Sequence, residues 1–209
     1  GLSPEISFQL SWLGRIAMLR GEHERAWQLH ERARALGAEQ GFKPAEMYAE
    51  TGLGLGARRT GQFDIAEKHM HNVLDWHRAQ RFQAGTALAL AELGFIAEQR
   101  GDQRGDQVTA HRLQLEGYRL ARDSGDPRAI ALALEGLAGA NALAGGYHQA
   151  ARLLGAATRL RNSVGRPLPA GQRDDVDRIA GTLRAALGDA ELETQLRRGA
   201  EAALDDLEL

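Results

Sequence analysis

Apolar residues recur along this chain at three- and four-residue intervals, as in Leu10, Leu13, Ile16, Ala17 and again in Leu90, Leu93, Ile96, Ala97. An α-helix turns every 3.6 residues, so that spacing gathers each set on one helix face. Glycine-containing polar breaks separate the stretches. The pattern predicts helices near 4–20, 22–40, 44–60, 62–80, 84–100, 106–123, 127–144 and 147–163. A linker with Pro167 and Pro169 follows, then two more helices near 170–187 and 189–207, about ten in all. Helix starts are marked. Ser3-Pro4-Glu5 and Asp126-Pro127 each set a capping side chain before a proline at the first helical position, and Pro44 opens another helix.

The stretches repeat. Leu13-Gly14, Ala17, Gly21 and Ala26 return as Leu53-Gly54, Ala57, Gly61 and Ala66. They return again as Leu93-Gly94, Ala97 and Gly101, and as Ala138-Gly139, Ala142, Gly146 and Ala151. The anchor glycines 14, 54, 94 and 139 are spaced 40, 40 and 45 residues apart. Gly101-Asp102-Gln103 recurs as Gly105-Asp106-Gln107, so a four-residue insertion in an inter-helix turn accounts for most of the longer step. Small residues at 14, 54, 94 and 139 let the second helix of a pair approach the first. Gly21, Gly61, Gly105 and Gly146 stand where the chain reverses.

A period near 40 residues with two helices per unit predicts an all-α solenoid. Residues 1–166 would form four antiparallel helix pairs (4–40, 44–80, 84–123, 127–163), and residues 167–209 a capping pair. One pair cannot bury its own apolar face, so stacking supplies the core and the ends need polar caps.

The Leu-Gly…Ala…Gly…Ala pattern over roughly 4–163 resembles tetratricopeptide (TPR) repeats in a longer form. The tail is similar to the C-terminal end of large actinobacterial transcriptional activators of the MalT/LuxR-like and antibiotic-regulatory kinds. The residues that carry this are Ala150 to Ala157, Leu160-Arg161, Arg166-Pro167-Leu168-Pro169 and Leu183 to Gly188. The resemblance implies a right-handed TPR-like superhelix and a sensor arm of a larger protein, with DNA contact and ATP hydrolysis in other domains. It also implies that first helices line a concave groove. By repeat position that groove takes Phe8, Ser11, Arg15 and Met18, then Tyr48, Thr51, Leu55, Arg58 and Arg59, then Leu88, Ala91, Phe95, Glu98 and Gln99, then Ala133, Gly136, Ala140 and Leu143. Arg15, Tyr48, Thr51, Leu55, Arg58, Phe95 and Gln99 are the candidate contacts for a protein, peptide or small-molecule effector. An ordinary solvated surface is the alternative reading.

Composition narrows the chemistry. The absence of cysteine among 209 residues excludes disulfides and thiolate metal sites, and a 5% aromatic content with abundant Ala and Leu suits close helix packing. The formal net charge of −2 gives no electrostatic pull toward nucleic acid. Residues 189–209 hold seven acids and two arginines, an acidic end best read as a solvated helix face. No apolar run is long enough to span a membrane and no secretory signal is present, so a cytoplasmic location is expected.

Motifs that resemble chemistry have plainer readings. His69, His71, Asp75 and His77 contain one helical pair at i, i+4, which is a weak metal signature beside a partly exposed helix. Gly52-Leu53-Gly54-Leu55-Gly56 follows no strand and sits in a helical pattern, so packing explains it better than a nucleotide loop. Arg104-Gly105-Asp106 arises from the duplicated turn. No catalytic set, metal or cofactor is expected. The expected function is a binding or sensing arm of a transcriptional regulator with a possible homo-oligomeric state. A stand-alone scaffold protein is the alternative.

Overall fold

The computed structural model describes residues 4–100, 106–165, 168 and 172–209. It holds ten α-helices in the described residues and no strand among them. The helices are α1 (Pro4–Leu19), α2 (His23–Glu39), α3 (Lys43–Arg59), α4 (Phe63–Ala79), α5 (Gln83–Gln99), α6 (Gln107–Ser124), α7 (Pro127–Leu143), α8 (Tyr147–Ser163), α9 (Asp174–Leu187) and α10 (Asp189–Glu201). A short 3₁₀ turn, Leu204–Asp206, follows. The chain divides into two compact units, Gly1–Gly85 and Thr86–Leu209, so the boundary falls in the first turn of α5. Within each unit successive helices pack as hairpins, α1 on α2 and α3 on α4, then α7 on α8, in solenoid fashion. Inside the second unit α10 packs along α8.

Helix ends follow the local chemistry. The Asp126 carboxylate accepts from the Arg128 N–H at 2.9 Å and Asp106 accepts from the Thr109 N–H at 2.8 Å, each satisfying a donor that the helix start leaves open. The Ser3 cap, the glycines at 101 and 105, Arg104 and Gly105 of the Arg104-Gly105-Asp106 tripeptide, and most of the Arg166–Pro169 run lie outside the described residues.

The repeat is cleaner in space than the glycine alignment predicts. First helices begin at 43, 83 and 127 and second helices at 23, 63, 107 and 147, so the long step is 44 residues and the turn insertion explains all of it. The fourth repeat therefore sits one residue earlier than read from the sequence. Gly145, at φ 82°, makes the reversal that Gly21 and Gly61 make, while Gly146 caps α8 at φ −79°. Ala138 takes the anchor position, and Gly139 packs elsewhere, with a Cβ there reaching Glu98 and Ile179. Adjacent small residues (Ala138-Gly139, Gly145-Gly146, Ala150-Ala151) hide a one-residue shift in any pattern built on smallness.

The anchor glycines face a single bulky residue on their own second helix. A Cβ on Gly14 would overlap the His30 ring, one on Gly54 would meet Met70, and one on Gly94 would meet Gln114. His30 and Gln114 also fill slots left by Gly52 and Gly136 on the following first helix. Each such side chain locks two successive first helices onto one second helix. At the C-terminal end the crossing is tighter. Gly155 on α8 lies against the Leu196 carbonyl of α10, and Gly199 on α10 lies against the Arg152 carbonyl, so backbone meets backbone at both glycines.

Candidate functional site

With the spatial register known, the first-helix positions can be followed from repeat to repeat. One line runs Phe8, Tyr48, Leu88, Leu132; a second runs Arg15, Leu55, Phe95, Gly139; a third runs Leu19, Arg59, Gln99, Leu143. The two units treat these lines differently.

In the first unit the lines are open. Arg15 and Leu19 are exposed on α1, and Tyr48, Leu55 and Arg59 are half-buried on α3. Leu55 rests on the small cluster of Ala17, Met18 and Ala26. Tyr48 holds an aromatic group together. Its ring lies 5.7 Å from Phe8, edge-on, and 6.1 Å from Trp12, and Phe8 in turn meets Phe42 edge-on at 5.8 Å. Edge-to-face rings at these separations attract beyond simple burial. Trp12 is 56% exposed, an unusual state for so large an apolar side chain. The result is an aromatic cluster joining α1 and α3. Thr51, half-buried beside it, donates its hydroxyl to its own helix at the Met47 carbonyl, 2.9 Å away.

Three sequence-derived positions of the first unit lie inside the fold, as do Ala91, Phe95, Ala133, Gly136 and Ala140 in the second. Ser11 and Met18 are buried, on the side of α1 that carries Ser7, whose hydroxyl donates to the Ala33 carbonyl of α2 at 2.6 Å. Arg58 is 7% exposed, one residue before the more open Arg59. The open line on α1 is 8, 12, 15, 19 rather than 8, 11, 15, 18. Trp12 was missed for this reason. Its signal was a tryptophan one turn after Phe8.

In the second unit the chain itself covers part of these lines, at Phe95, Gly139 and Gln99, while Leu88 and Leu143 stay exposed. Helix α9 lies against α5 and α7. Its Arg178 donates to both oxygens of Glu98 at 2.5 and 2.7 Å, and Gln99 donates to Asp175 at 2.7 Å. Ile179 and Leu183 of α9 are fully buried in one cluster with Phe95, which is 1% exposed. Phe95 and Gln99 are therefore already engaged, Phe95 in the core and Gln99 by α9. Beneath them Arg161 of α8 clamps the Glu135 carboxylate of α7 at 2.5 and 2.7 Å. Burial and the Asp175 charge push the Glu135 carboxyl up, against the pull of Arg161.

Other polar clusters are internal. Glu50, buried on α3, accepts from the His69 Nδ1 side at 2.5 Å and lies 3.9 Å from Arg34. Burial pushes that carboxyl up, yet the hydrogen bonds and charge of His69, Asn72 and Arg34 leave it below its ordinary value. His69 is thereby committed to Glu50, Met70 is core and His71 is exposed. Among the described residues no group of three or more His, Asp and Glu is gathered as for a metal ion. The Gly52–Gly56 run is a turn and a half of α3, with Gly52 receiving His30. Between α6 and α7 the second unit has a cleft of about 700 Å³ lined by His111, Arg112, Leu115, Glu116, Arg119 and Asn141 among others, a feature absent from the sequence reading. No described helix is long and apolar enough to cross a membrane.

No protein-family model matches the sequence, and no curated protein matches it.

Proposed function

We propose that the chain is a TPR-like protein-binding module, the sensor arm of a bacterial transcriptional regulator, and that its effector docks on the open α1–α3 face. One observation carries the reading. Some of the repeat positions that stand open in the first unit, those of Arg15, Leu55 and Arg59, meet an amphipathic helix, α9, in the second, at Gly139, Phe95 and Gln99. This supports a helical ligand of the same kind, with an Ile-x3-Leu apolar stripe and a flanking charge. On the first unit the apolar stripe would lie along Phe8, Trp12, Tyr48 and Leu55. Arg15 would meet an acid on the partner, and aromatic and arginine side chains are the types that dominate binding energy. The regulator role rests on the likeness of residues 127–209 to regulator tails; DNA contact belongs to other parts of such a protein. A cytoplasmic location goes with that role.

The test is a double substitution, Tyr48→Ala with Arg15→Ala, in the full reading frame that encodes this chain, read by a reporter of its target promoter. Arg15 is exposed and Tyr48 half-buried against Phe8 and Trp12, so the helical circular dichroism should persist while the melting temperature falls modestly. The signal response should fall by about tenfold or more, as expected when a central anchor and its flanking charge are lost. A full response from a folded double variant would remove this face from the mechanism.

A further inference from the structure

The cleft between α6 and α7 belongs to neither the open α1–α3 face nor the surface that α9 covers. Its volume of about 700 Å³ is that of a small-molecule site. The repeat register shows what is peculiar to its α7 wall. Asn141 stands where the other first helices carry Ala17, Ala57 and Ala97, and Ala144 stands where they carry Arg20, Thr60 and Arg100. An amide thus replaces a packing alanine, and bulk is removed beside it. The Asn141 amide N–H donates to the Leu137 carbonyl at 2.9 Å, which fixes the side chain and leaves its oxygen to accept.

The facing wall on α6 carries Arg112, Leu115 and Arg119 in one helical stripe, with Val108, 71% exposed, a turn before them. Both arginines are exposed. Set against one lining acid, Glu116, they leave the cleft positive. Asp106 feels the Arg112 charge, but its carboxylate is committed to the Thr109 N–H at the helix start. Helix α8 has arginines in the same register, 40 residues on. There Arg152 donates to the Gln195 side-chain oxygen at 2.7 Å and Arg159 to the Ala202 carbonyl at 3.1 Å, both oxygens of the C-terminal segment. Among the described residues no hydrogen bond or salt bridge engages Arg112 or Arg119.

We infer that this cleft binds a small organic anion, an acid group on a compact apolar body. The guanidiniums take the acid through charge-assisted hydrogen bonds, which arginine makes with carboxylate and phosphate alike. Leu115, Ala140 and Ala144 receive the apolar body, with Val108 at the rim. His111 and Asn141 add the few polar groups that orient a ligand in such a site. A cationic ligand would meet two like charges, and a neutral one would leave the arginines unanswered. The cleft lies wholly within the second unit, so its occupancy does not depend on the effector face of α1 and α3.

Calorimetric titration of the intact chain with octanoate and octyl phosphate tests this, with octanol, octylamine and inorganic phosphate as controls. At least one of the two octyl anions should bind saturably at a single site, and the tighter of them names the acid. The three controls should bind at least about tenfold more weakly, since each lacks the acid or the apolar body. Arg112→Gln with Arg119→Gln should raise the dissociation constant of the octyl anion by about tenfold or more. Ala144→Leu should do so too, by filling the cleft with its charges intact. Arginine and threonine occupy that position in the other repeats, so the helical circular dichroism should persist in this variant. Arg197→Gln, which removes an exposed cation from α10, should change nothing. The inference is overturned if neither octyl anion binds saturably, or if octanol, octylamine or inorganic phosphate binds as tightly. It is overturned equally if binding survives either cleft variant, or if Arg197→Gln weakens it as much.

Discussion

Arg161→Met should destabilise the second unit by about 3–5 kcal/mol, the cost of stranding a buried carboxylate without its cation. Glu135 is 4% exposed and its two oxygens are both held by the Arg161 guanidinium. No water can replace that fork, and Asp175 adds a like charge nearby. Adding Glu135→Leu to Arg161→Met should recover most of the loss, because a buried pair replaced by apolar groups of similar size is often neutral. The single variant should also recover as pH falls. Its Glu135 carboxyl, already pushed up by burial, would then take a proton and cease to be a stranded charge. Urea unfolding of the wild type, the single and the double variant at neutral and acid pH checks all three statements. A single variant as stable as the wild type would show that the pair is not buried as described.

His30→Met should make the first unit more stable in acid by about 3 kcal/mol relative to the wild type, the value of a shift from 6.5 to about 4. Burial, and then the Arg15 charge, hold the imidazole down to about 4. In the unfolded chain it takes a proton near 6.5. Between those two pH values the unfolded state binds the proton and the folded state does not. The wild type therefore loses stability as pH falls from about 6.5 to about 4, and above 6.5 the effect is absent. Methionine fits because Met70 occupies the equivalent position of the next repeat, against Gly54 as His30 lies against Gly14. Neither His30 ring nitrogen has a protein partner in the structure, so methionine removes two unsatisfied polar atoms as well. Parallel pH slopes for variant and wild type would show that His30 does not titrate across this range.

Much of the fold was legible because helix starts and turns have local causes. The predicted bounds of α1 to α8 agree with the structure within a residue, since Pro4, Pro44, Asp126-Pro127 and the turn glycines act where they stand. The repeat register of the fourth pair was not legible. Three adjacent pairs of small residues satisfy the pattern in either of two alignments, which the helix starts, the positive φ of Gly145 and the Gly136–Gln114 slot separate. The candidate face was legible in part. Arg15, Tyr48 and Leu55 reach the surface of the first unit, but a one-residue rotation of α1 hid Trp12, and Arg58 points inward where Arg59 does not. The fate of Phe95 and Gln99 had no local signal at all. Their cover is α9, some 80 residues later, and nothing in the periodicity of α5 records which distant helix will lie on it.

Hydroxyl-radical footprinting with mass spectrometry, at a concentration where the chain is monomeric, measures the central asymmetry directly. After correction for the intrinsic reactivity of each ring, Trp12 should be oxidised nearly as fast as a free indole and Tyr48 more slowly, while Phe95 should be protected throughout. Comparable exposure of Phe95 and Trp12 would contradict the account, because the second unit would then present the same open face as the first and α9 would not be its occupant.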